Sequence, residues 1–101
     1  ALFERVFTPE IYDAFSRLIR SAETYDVRQS LHQITAQTLV ISAEHDYVTP
    51  LYQQKEIVAA IPHAAHAMIL DAGHAVMYEK PAEFISLVLG FVNNDTDVKT
   101  V

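Results

Sequence analysis

The sequence predicts an α/β fold organised around a parallel βαβ unit of two strands with about four flanking helices. Three observations carry this. Two short apolar runs, Thr38-Leu39-Val40-Ile41-Ser42 and Ala67-Met68-Ile69-Leu70, show no polar alternation, as strands buried on both faces read. A proline-opened helical segment lies between them, and a strand–helix–strand order makes the strands parallel with a right-handed crossover. Only two glycines, Gly73 and Gly90, occur in 101 residues, too few for a turn-rich all-β fold.

The elements follow in order. Thr8-Pro9-Glu10 opens a helix: Thr8 can cap, Pro9 suits the first helical position and Glu10 favours the positive dipole end. Ile11, Tyr12, Phe15, Leu18, Ile19 and Ala22 then form a helical stripe, read most simply as a buried face. Asp26 is expected to cap a short second helix with Val27, Leu31 and Ile34 on one side. After the first strand, Glu44 to Thr49 is a polar loop. Thr49-Pro50 repeats the cap-plus-proline signal for a helix to about Ala60, and Pro62 closes it. The second strand leads into a loop holding His74. Pro81 opens a last helix, whose buried face is expected to carry Phe84, Ile85, Val88, Phe91 and Val92. The organisation expected is a helical segment over 1–35, a βαβα portion over 36–93 and a frayed polar tail over 94–101.

Composition narrows the function. Half the chain is hydrophobic, so it can bury a core, and one domain is the default. The net charge is −6 and no Lys or Arg block stands out, which argues against nucleic acid or an anionic membrane as partner. There is no cysteine, hence no disulfide and no thiolate metal site; a cytoplasmic location fits. No apolar run approaches the ~20 residues of a membrane helix.

The chemistry lies in two loops. In a parallel unit the loops after both strands emerge at one sheet edge, with the strands only ~5 Å apart. Asp46 follows Ser42 by four residues and His74 follows Leu70 by four, so the two can meet above the carboxyl ends of the strands. A carboxylate beside an imidazole can fix its tautomer and offset the charge of the imidazolium, the orienting half of a catalytic triad. On the residues alone, two readings stand for each. His74 is a base awaiting a nucleophile, or a loop histidine bonded to backbone. Asp46 is its acid, or an Asx-turn residue leading into the Pro50 helix. His63-x-x-His66 with His45 suggests a metal site only superficially, because Pro62 and the following strand make a turn there. Glu79 reads as a backbone-bonding structural residue.

The stretches "TLVISAEHDYVTP" and "IPHAAHAMILDAGHAVMYEKPAEFISLVLGFV" resemble the C-terminal third of the α/β-hydrolase family, over roughly Leu31 to Val92. The matching motifs are Asp46-x-x-x-Pro50, Gly73-His74 and Glu79-x-Pro81, with 28 positions between Asp46 and His74. The resemblance implies Asp46 as triad acid and His74 as general base, with no metal or organic cofactor. By position, Ala1 to Thr24 would end a cap region, in which the Tyr12, Phe15, Leu18 and Ile19 stripe lines a pocket. Tyr47, Val48 and Met77 flank the two loops and are candidate substrate contacts. Ala43 stands where the family often has Gly, and Gln37 where a Pro often opens the strand.

One departure is large. The family's nucleophile sits on a Gly-x-Ser-x-Gly elbow that precedes acid and base. None of Ser16, Ser21, Ser30, Ser42 and Ser86 has a flanking glycine, and the Gly-rich oxyanion loop is missing. The expectation is a C-terminal fragment with the missing parts upstream of Ala1. The parent would hydrolyse an ester, thioester, amide or related bond of a small molecule, and the segment would be inactive alone. Two alternatives stand: a parent with an Asp nucleophile, as in dehalogenase- or epoxide-hydrolase-like relatives, and a non-catalytic binding protein of the same fold. The open sheet edge is expected to make the segment self-associate or pair with the missing N-terminal part.

Overall fold

The computed structural model describes residues 1–93 and 99–100. The polar tail expected over 94–101 falls mostly outside the described residues. In chain order the elements are α1 (Leu2–Val6), α2 (Pro9–Glu23), a 3-10 helix (Arg28–Gln33), β1 (Thr38–Ala43), α3 (Leu51–Ala60), β2 (Ala64–Ile69), α4 (Val76–Glu79), α5 (Pro81–Val92) and the two-residue β3 (Lys99–Thr100). The sheet order is β1-β2-β3. β1 and β2 run parallel in a register that pairs Thr38 with Ala64 and Ala43 with Ile69, and α3 is their crossover. The expected βαβ unit is present, and β3 adds a short parallel pairing to β2 at Ala67 and Met68.

The register sorts the side chains. Leu39, Ile41 and Ala43 of β1 share a face with Ala67 and Ile69 of β2. That face packs with Ala72, Val76 and Leu87, and with the partly buried Phe84, into the core. Ile69 is fully buried. On the other face Ser42, also fully buried, lies 2.6 Å (Oγ to Nε2) from His66. Burial, and then the positive charge of Lys55 on α3, push His66 below its ordinary value. The hydrogen bond between the Ser42 hydroxyl and the His66 ring ties β1 to β2.

Several local expectations are corrected. Thr8 caps α2 as expected, accepting from the Ile11 N–H at 3.3 Å, but the stripe of α2 is not buried. Ile11, Tyr12, Phe15, Leu18 and Ile19 are exposed by 47% to 70%, because no described element packs over them. Asp26 does not open an α-helix; it accepts from the Arg28 N–H and pairs with the Arg28 guanidinium, and a 3-10 helix follows. Thr49 does not cap α3, since its hydroxyl is turned to Asp46 and Pro50 holds the cap position. β2 begins at Ala64, earlier than its apolar run, because His63 accepts from the Thr38 N–H and starts the pairing. On α5 the buried position is Leu87, while Ile85 and Val92 are exposed. Among the described residues no helix is long and apolar enough to cross a membrane.

Candidate active site

Two loops at the carboxyl edge of the sheet are tied together by backbone. The Glu44 N–H donates to the Ile69 carbonyl at 3.0 Å and the His45 N–H to the Ala72 carbonyl at 2.8 Å. The Glu44 carboxylate accepts from the Asp71 N–H at 2.8 Å. Asp71 makes the sharp exit from β2 with φ of 52°, a left-handed conformation that aspartate tolerates better than most side chains. Further along, both oxygens of Glu79 accept from the Gly73 N–H at 3.1 and 3.2 Å, so α4 clamps the histidine loop from its far side. A Cβ on Gly73 would come within 3.2 Å of that carboxylate, so a larger residue there would require Glu79 to shift.

This arrangement brings Asp46 and His74 into contact. His74 Nδ1 lies 3.1 Å from Asp46 Oδ2 and 3.2 Å from Oδ1. The Asp46 side chain is only 7% exposed and that of His74 is 54% exposed. Asp46 Oδ1 also accepts from the backbone N–H groups of Val48 at 3.0 Å and Thr49 at 2.9 Å. Oδ2 accepts from the Thr49 hydroxyl at 2.9 Å, and Gln54 Nε2 approaches it at 3.5 Å. Burial pushes the Asp46 carboxyl up. The Thr49 N–H, the His74 ring, the Thr49 hydroxyl and the Val48 N–H together outweigh burial and bring it down to about 2. An ionised carboxylate only accepts, so the proton between the two groups sits on His74 Nδ1. In the neutral ring Nε2 is then a free base on the exposed side. Asp46 closes an Asx-type turn over Val48 and Thr49 and at the same time faces the imidazole of His74.

Asp46 and His74 share a cleft of about 360 Å³ with Gln54 and Ile57 of α3, Val76 and Met77 of α4, and Phe84 of α5. Val40 and Ile41 also line it. Consecutive strand residues point to opposite faces, so this cleft runs along the outer edge of β1. Of the three candidate contact residues, Met77 lines the cleft. Tyr47 and Val48 do not, and are 87% and 67% exposed. A larger groove of about 980 Å³ lies between the end of α2 and α3, away from the acid–base pair. Among the described residues no three His, Asp or Glu side chains gather as a metal site. The sequence does not mark Thr49 or Gln54 as a partner of the acid. Thr49 carried a signal, since an Asp-x-x-Thr spacing lets the later residue donate back to the carboxylate, but its place before Pro50 reads equally well as a cap.

A parallel α/β sheet with an acid and a histidine at its carboxyl edge defines a class of proteins before it defines any one of them. A model of the α/β-hydrolase fold family matches residues 14–81, and the chain belongs to that family. Among solved structures it is similar to MGS-M2, an α/β-hydrolase enzyme from a Medee basin deep-sea metagenome library, with 44% identity and a TM-score of 0.79 over 85% of this chain and 31% of that one. Among curated proteins it is 33% identical to a pyrrolizixenacetamide deacetylase of Xenorhabdus hominickii, over 85% of this chain and 32% of that protein. It is 32% identical to a Pseudomonas savastanoi pv. phaseolicola protein provisionally named carbamate hydrolase RutD, over 83% of this chain and 32% of that protein. The chain thus spans about a third of the length of the curated relatives it matches.

Proposed function

We propose that this chain contributes the acid and the base of a nucleophile–His–acid hydrolase acting on an ester, thioester, amide or related bond of a small molecule. The single observation that carries the proposal is the contact of His74 Nδ1 with an ionised, buried Asp46 at 3.1 Å. The nucleophile and oxyanion donors belong to a part of the family fold that this chain does not span, and the segment alone is inactive. A serine there would attack the acyl carbon while His74 Nε2 takes its proton. The same proton passes to the leaving group as the acyl–enzyme forms. His74 then draws a proton from water as it attacks the acyl–enzyme, and returns that proton to the serine oxygen as the acid leaves. Asp46 holds the ring and offsets its positive charge in both steps. The relatives named for removing an acetyl group or cleaving a carbamate support a bond between an acyl carbon and nitrogen or oxygen. The cleft along β1 supports pairing with that other part of the fold, or self-association of the isolated segment.

The test is steady-state kinetics of the full-length protein on p-nitrophenyl acetate, an acyl thioester and an acyl anilide. Turnover of at least one is expected. His74→Ala should lower kcat on the order of 10⁴-fold. A folded full-length protein that turns over none of them, or a His74→Ala variant of undiminished rate, contradicts the proposal.

A further inference from the structure

We propose that Gln54 is a positioning residue, holding the acid loop so that the Asp46 carboxylate keeps its geometry against His74; this rests on the triad reading above. Gln54 sits in the first turn of α3, 8% exposed, with its side chain turned back to the loop that precedes the helix. Its Nε2 donates to the Thr49 carbonyl at 2.5 Å and reaches Asp46 Oδ2 at 3.5 Å. Thr49 in turn supplies two of the donors on Asp46, its N–H to Oδ1 and its hydroxyl to Oδ2. Gln54 therefore acts on the acid chiefly through Thr49.

The orientation of the amide is forced. The Thr49 carbonyl and the ionised Asp46 both accept only, so the NH₂ end must face them. That leaves Gln54 Oε1 buried without a partner among the described residues. A buried unpaired oxygen is costly, and a methionine or leucine would fill this space without it. Packing alone does not account for a glutamine here; the needs of the acid loop do.

Two variants of the full-length protein test this. Gln54→Met keeps volume and removes the donors. Gln54→Glu keeps shape and sets a carboxylate against two acceptors. With p-nitrophenyl acetate as probe, Gln54→Met should lower kcat about tenfold with KM within about twofold, since the interaction serves the transition state. In Gln54→Glu the new buried carboxyl shares one proton with Asp46, and as that proton is lost with rising pH the second negative charge favours the imidazolium, so the acid limb of the kcat/KM–pH profile should move to higher pH. Folded variants with wild-type kcat and an unmoved limb overturn the proposal. So does a loss of rate that follows only a fall in Tm while the limb stays in place. The proton NMR signal of His74 Nδ1–H reads the contact with Asp46 without any catalysis. It should broaden in Gln54→Met through faster exchange, and an unchanged signal overturns the proposal even if the triad reading has failed on its own test.

Discussion

Asp46 accepts from Val48, Thr49 and His74, and these donors rather than exposure keep it ionised. Replacing it with Asn retains the shape but offers His74 an N–H, which reverses the ring tautomer and places a proton on Nε2. In the full-length protein Asp46→Asn should cut kcat on the order of 10⁴-fold with little change in KM; measured kinetics within tenfold of wild type would contradict the role. The same contacts have a pH signature. The folded pKa of about 2 lies below the ordinary 3.8, so their contribution to stability is complete above that value and is lost as pH falls from 3.8 through about 2. The Tm difference between wild type and Asp46→Asn should close across that window. The pair itself was legible in the sequence, because strand direction and loop length bring Asp46 and His74 to one edge. Gln54 was not, because a glutamine four residues after Pro50 carries no local mark of whether it faces solvent or turns back.

The elements show where apolar patterning informs and where it misleads. β1 was readable as a continuous apolar run. The first half of β2 was not, because His66 interrupts the pattern; its half-buried ring meets the Ser42 hydroxyl. His66 is held below its ordinary 6.5, so the unfolded chain takes up protons first on acidification. Its contribution is full above 6.5 and falls as pH drops below that value. His66→Gln, which keeps an acceptor for Ser42, should flatten the dependence of Tm on pH between about 7 and 5; an unaltered slope would count against this assignment. On α5 the helical stripe was correct as a period but rotated, with Leu87 rather than Ile85 meeting the core. Helical spacing alone cannot distinguish two adjacent faces when both carry leucine, isoleucine and valine. Leu87→Ala should cost about 2–5 kcal/mol in denaturant unfolding, whereas Ile85→Ala at an exposed site should cost less than about 1 kcal/mol.

For the whole molecule, the outer edge of β1 and the exposed stripe of α2 are surfaces that small folded domains usually cover. Sedimentation of the isolated segment is expected to show association that grows with concentration, and a well-folded monomer throughout would contradict that. The α2 stripe was read from sequence as buried, and the periodicity that suggested it is real. A stripe reports that a face is apolar, not which element covers it. The proposed roles of Asp46 and His74 depend on the rest of the family fold, and labelling of the nucleophile tests them. The full-length protein would be treated with a fluorophosphonate, with and without His74→Ala, and any adduct located by mass spectrometry. An adduct is expected on a serine outside this segment, and it should disappear in the His74→Ala variant. An adduct formed equally well without the histidine, or none on the folded wild-type protein, would contradict His74 as the base of a serine hydrolase.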